Sequence, residues 1–190
     1  MMSLRLSPSQ PQRRLTSFGR CRRDQRGMAA VEFALVLPFL LLLFLGSVEL
    51  TRGIQVDRQV ALTADTVTNL VSQYTTISKS QQMPDILNAS VQIFTPYPSS
   101  PATVVVSLIG IDGTGKATVT WSQTLNGTAR TAGQVLTLPA GLDIPNTNLV
   151  FGEVTYAYTP WVDFMNIGTL NFTASLYMSP RAATTINLVA

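Results

Sequence analysis

Histidine is absent from this 190-residue chain, and cysteine occurs once, at Cys21. Without histidine there is no His-dependent catalytic triad, and the commonest general base and commonest zinc ligand are both missing. A lone cysteine cannot close a disulfide within the chain. Cys21 precedes the apolar run, whereas a bacterial lipid-attachment cysteine would follow one, so it reads as a free thiol in a reducing compartment. Charge is scarce as well: 12% of residues are charged and 46% are apolar, against roughly 25% charged in ordinary soluble domains. Part of this chain is not a soluble surface.

The few charges are unevenly placed. The net charge is +3 and the pI about 9.4. Residues 1–27 hold seven arginines against Asp24, a surplus of +6, while residues 28–190 hold six basic and nine acidic groups, a balance of −3. A basic tail precedes an acidic body, so the high pI does not point to nucleic acid.

From Phe33 to Val48 no residue is charged, and Met28 to Leu50 is long enough to span a bilayer: 23 residues make about 34 Å of helix. The arginines lie just before it, so the positive-inside rule predicts a cytoplasmic N-terminus and an external body. A cleaved secretory signal is the rival, but the tail is long and Leu45-Gly46-Ser47-Val48-Glu49 offers a poor small-x-small site. Two residues in the run need a reason. An acidic residue costs about 2.5–3.5 kcal/mol at a helix centre and less near an interface, where Glu32 would sit, and the leucines and phenylalanines beside it offset that. It either marks a partner or snorkels to headgroup depth. Pro38 removes the donor that would bond the Ala34 carbonyl and is expected to kink or loosen the helix.

The stretch Arg26-Gly-Met-Ala-Ala-Val-Glu-Phe-Ala-Leu-Val-Leu-Pro38, with its arginine-rich leader, resembles a type IV prepilin processing site. More closely it resembles the opening of TadE-like proteins, the pseudopilins of tight-adherence (Flp-type) pilus systems. Val154-Thr-Tyr156-Ala-Tyr158-Thr-Pro160-Trp161, Gly168 and Tyr177-Met-Ser-Pro180-Arg181 are similar to that family's C-terminal pattern. The resemblance implies a prepilin peptidase cutting after Gly27, with Met28 as the new N-terminus and Glu32 and Phe33 as the recognised head of the helix. Glycine suits such a site because it lets a protease approach the backbone closely. It also implies that Glu32 meets the N-terminal amine of a neighbouring subunit, a pairing strengthened in low dielectric.

Beyond the run, Val56, Val60, Ala64, Val67 and Val71 form one helical stripe. One long helix to about residue 74 is expected, its stripe facing either its own domain or neighbouring helices. Residues 75–84 read as a linker, and a short helix over 85–94 would turn Ile86, Leu87, Val91 and Phe94 inward. The rest is strand-like. Thr103 to Ile111 is β-branched; Ala117, Val119 and Trp121 alternate with polar residues; Val154, Tyr156 and Tyr158 share a face; Leu170, Phe172, Ala174, Leu176 and Met178 give a clean period of two. The expected fold is α+β and pilin-like: a transmembrane helix over 28–50 extended as an amphipathic helix over 51–74, packed on a four-stranded, mainly antiparallel sheet with one wet face in a domain over 75–190.

Some patterns imitate chemistry. Gly110-Ile-Asp-Gly-Thr-Gly115-Lys116 approaches a phosphate-binding loop, but Ala117 stands where a hydroxyl is needed and a strand pattern follows where a helix should. A hairpin turn is expected there. Asp112, Asp143, Glu153 and Asp163 could supply a carboxylate pair, or be solvated charge. Tyr156, Tyr158 and Trp161 offer a possible interaction surface, or core aromatics with polar tips.

The sequence thus predicts a non-enzymatic structural protein with no cofactor, metal, nucleotide or nucleic-acid partner. Its partners would be the membrane, a prepilin peptidase, other pilin-like subunits and the pilus assembly machinery, in a bacterial inner membrane with the body periplasmic. An unprocessed, membrane-anchored binding module is the alternative, and a carboxylate hydrolase the third.

Overall fold

The computed structural model describes residues 27–161 and 168–190. The basic leader with Cys21, and Asp163, lie outside the described residues. Helix α1 (Met28–Ser72) runs through Pro38 without a break. The chain divides into two compact units, Met1–Leu45 and Gly46–Ala190.

In the first unit α1 begins at Met28, directly after Gly27, and eleven large apolar side chains between Val31 and Phe44 are exposed. Burying such a side chain is worth about 1.5–3 kcal/mol, so leaving all of them in water would forfeit on the order of 20 kcal/mol. This helix is long and apolar enough to cross a membrane, an environment that would remove the cost.

In the second unit the remainder of α1 is a core helix. Val56, Val60, Ala64, Val67 and Val71 are all buried, so the predicted stripe faces this chain's own domain. Thr63 and Thr68 are buried beside it because each hydroxyl donates back to the carbonyl four residues earlier, at 2.7 and 2.6 Å. The helix stops at Ser72, whose hydroxyl donates to the Asn69 carbonyl.

The expected linker is not wholly irregular. Thr76–Ser78 forms β1, which pairs in parallel with the C-terminal β7 (Asn187–Val189). Ile77 alone of β1 is fully buried, so a three-residue strand is fixed by a partner far away in sequence. Helix α2 (Gln82–Val91) and a single tight turn over Gln92–Phe94 follow. Ile86, Leu87, Val91 and Phe94 are buried as predicted, together with Met83.

The main sheet contains β2 (Ala102–Ile111), β3 (Ala117–Leu125), β4 (Val135–Leu136), β5 (Asn148–Tyr158) and β6 (Leu170–Met178) in the order β4-β3-β2-β5-β6. All its pairings are antiparallel. The four predicted strands are present, and the two-residue β4 makes a fifth. One face packs on α1 and α2 through Val104, Val106, Leu108, Val150, Val154 and Tyr156.

Two expectations about the sheet are corrected. The other face is not simply wet: Leu136, Leu138 and Leu142 pack over Ile109, Ile111, Ala117, Leu149 and Phe151 in a second cluster. Nor do Ala117, Val119 and Trp121 share a face throughout. The β2–β3 register passes from Ile109↔Val119 to Leu108↔Trp121, so Thr120 is an extra residue, a bulge that shifts the alternation. Ala117 therefore joins the outer cluster and Trp121 the inner core, where its indole donates to the Ile186 carbonyl at 2.8 Å.

Candidate functional site

The residues expected to be read by a processing enzyme all lie in the first unit. Gly27 precedes the first residue of α1, and a Cβ built on it would meet nothing within 4 Å. No packing within the described residues requires glycine at that position. Met28 and Phe33 are exposed, and Glu32 is exposed on the second turn of α1. Among the described residues no cation pairs with Glu32. Glu32 and Phe33 are therefore presented on a bare helix surface that is otherwise apolar.

A second constellation forms in the second unit, around the turns of α1 that follow the apolar run. Glu49 accepts a hydrogen bond from the Tyr158 hydroxyl at 2.8 Å and pairs with Arg52 at 3.6 Å. The Arg52 guanidinium lies 4.6 Å from the centre of the Trp161 ring, within cation–π range. Tyr97 donates to the Gln55 side chain at 3.0 Å, and Tyr156 to the Pro98 carbonyl at 3.0 Å. Arg52, Pro96, Tyr97, Pro98, Tyr158 and Trp161 border a cleft of about 450 Å³.

The surface of three aromatics expected from the sequence is thereby reduced to one. Tyr156 is 2% exposed and Tyr158 6%, whereas Trp161 is 83% exposed. The two tyrosine rings belong to the core, Tyr156 stacked on Phe94 at 4.7 Å. Burial pushes the Tyr158 hydroxyl up to about 12, with the Glu49 hydrogen bond and charge adding to it. Burial likewise raises Tyr156, with Tyr97 a lesser cause. Both stay neutral donors near neutral pH, so the cluster holds Glu49 between a hydroxyl and a guanidinium.

The imitation phosphate loop is a turn. The Asp112 carboxylate accepts from the Thr114 amide, the Thr114 hydroxyl and the Lys116 amide at 2.8, 2.6 and 3.0 Å, between β2 and β3. Those hydrogen bonds, the Thr114 hydroxyl first, hold its carboxyl below the usual range. Gly115 has φ +83°, which glycine adopts without strain. Glu153 is bonded to Arg130 at 2.7 Å, with the guanidinium 4.8 Å over Phe151. Asp143 is exposed in the segment before β5.

Glu49, Arg52 and Tyr97 were not legible as site residues. The first two are merely the first charges after the apolar run, and Tyr158, the partner of Glu49, is 109 residues away from it.

Residues 27–68 match the model of the TadE-like protein family. The match begins on Gly27, takes in Met28, Glu32, Phe33 and Pro38, and ends within the buried part of α1; it does not reach the C-terminal strands. No curated protein and no solved structure matches the chain.

Proposed function

We propose, for a chain whose residues 27–68 are TadE-like, that it is a non-enzymatic, minor pseudopilin-like subunit that contributes to assembly of a tight-adherence (Flp-type) pilus. The observation that supports this best is the exposed apolar helix carrying Glu32 with no cation beside it among the described residues. A carboxylate in such a place is one that a partner of opposite charge would stabilise. Cleavage after Gly27 by a prepilin peptidase would create one, the amine of Met28, at the positive end of a helix macrodipole. Neighbouring helices would then associate through their apolar faces, with Glu32 and the amine setting register. The leader arginines favour a cytoplasmic N-terminus in a bacterial inner membrane, with the second unit on the periplasmic side.

The test is the mass and N-terminal sequence of the protein recovered from membranes with and without a prepilin peptidase. A start at Met28 only when the peptidase is present is expected. An intact leader in both samples overturns the processing reading.

A further inference from the structure

The Arg52–Trp161 pair is not used by helix–helix association, and its depth can be worked out from the chain. Arg52 follows Val48, the last residue of the charge-free run, by four residues, which is about 6 Å along a helix. The headgroup zone of a bilayer is about 5–8 Å thick on each side of the hydrocarbon. Wherever the run fills the hydrocarbon, Arg52 lies among headgroups. Trp161, stacked 4.6 Å from Arg52, is carried to the same level by β5, the strand it follows.

Three further observations agree. Leu50 and Ile54 leave apolar surface exposed on α1 at this level, at 67% and 48%. The short contact of Glu49 is with the Tyr158 hydroxyl at 2.8 Å and its contact with Arg52 is the longer one at 3.6 Å, through one guanidinium nitrogen, so Arg52 keeps N–H donors for a phosphate. Trp161 is the most exposed large apolar side chain among the described residues, and an indole combines an apolar face with an N–H, which suits it to the boundary between acyl chain and headgroup.

We propose that Arg52 and Trp161 form a phospholipid-binding seat: the Arg52 guanidinium meets a headgroup phosphate of the leaflet from which α1 emerges, and the Trp161 indole inserts beside it. The occupant is the membrane surface rather than a protein, because the seat is continuous with the segment that crosses the bilayer and carries the charge that complements phosphate. The seat holds the second unit on the membrane surface by a contact other than the apolar run itself.

Tryptophan fluorescence of the full chain tests this in nanodiscs of phosphatidylethanolamine and phosphatidylglycerol, where only inserted chain co-elutes with the discs, so that a failure of anchoring is read separately. The Trp161 component is obtained by subtracting the spectrum of Trp161→Phe, since Trp121 is common to both. The expected result is a blue-shifted component, quenched more strongly by lipid brominated near the carbonyl end of the acyl chain than near the methyl end, and shielded from iodide. Arg52→Ala should lose most of that shallow quenching and Arg52→Lys should keep part of it. A Trp161 component open to iodide and indifferent to brominated lipid overturns the proposal. So does one shielded from iodide only after another pilin-like subunit is added, which would assign the seat to protein.

Discussion

Gly152 lies directly beneath Thr68: a Cβ built on Gly152 would overlap the Thr68 hydroxyl and press on the Ala64 carbonyl. α1 passes close over β5 at this point. Its glycine is required by the approach of a helix backbone to a strand, and no turn is involved.

Gly152→Ala is therefore expected to destabilise the second unit by about 1–3 kcal/mol, the usual range for an overpacked core. Thermal unfolding would register this as a fall of roughly 2–4 °C for each kcal/mol. Thr68→Ala, which removes the hydroxyl that collides, should recover part of the loss when combined with Gly152→Ala. Strict additivity of the two changes would place the strain elsewhere.

The apolar stripe of α1 gives a second prediction. Val60 is wholly buried and Leu62, two residues on, is 57% exposed. Val60→Ala removes two carbons from a packed site and should cost about 2 kcal/mol, whereas Leu62→Ala should change stability by less than about 0.5 kcal/mol. Equal effects in a chemical or thermal melt would mean that the stripe packs on neighbouring molecules instead.

Tyr158 should titrate abnormally. Its hydroxyl is pushed up to about 12 in the folded protein, against about 10 in an unfolded chain. The fold thus favours the protonated form: the contribution is fully present below pH 10 and is lost as the pH rises through about 12. Spectrophotometric titration should show a tyrosine that ionises late, and Glu49→Gln should lower it only in part, since burial is the larger cause. If the late component survives unchanged in Glu49→Gln, burial alone sets it.

Glu32→Gln should leave membrane insertion intact, since it removes a group that costs insertion energy, and should weaken co-purification with other pilin-like subunits. Co-purification at the wild-type level would retire the register role.

The local features were legible because they are written within one or two turns of chain. The spacing of Gly27, Met28, Glu32 and Phe33, the charge-free run and the stripe from Val56 to Val71 each depend on residues within a few positions, and a helical period carries them. The strand pattern from Leu170 to Met178 was readable for the same reason, since its pairing with β5 runs without a register shift. The alternation from Ala117 to Trp121 was equally clean but misleading, because the bulge at Thr120 is set by pairing with β2. Strands β1 and β7 were invisible because each is only three residues long and exists through the other.

The candidate sites divide in the same way. The sequence by itself determined that a basic leader, a membrane-length helix and an acidic body follow one another, and that Glu32 lies at the head of the apolar run. It left open whether the valine stripe serves the domain or a filament, and whether three aromatics form a surface. Tertiary structure decided both: the stripe is covered by the sheet, two tyrosines are drawn into the core, and Trp161 alone remains outside, against Arg52. Periodicity records only which residues share a face, and burial depends on what the rest of the chain brings to that face.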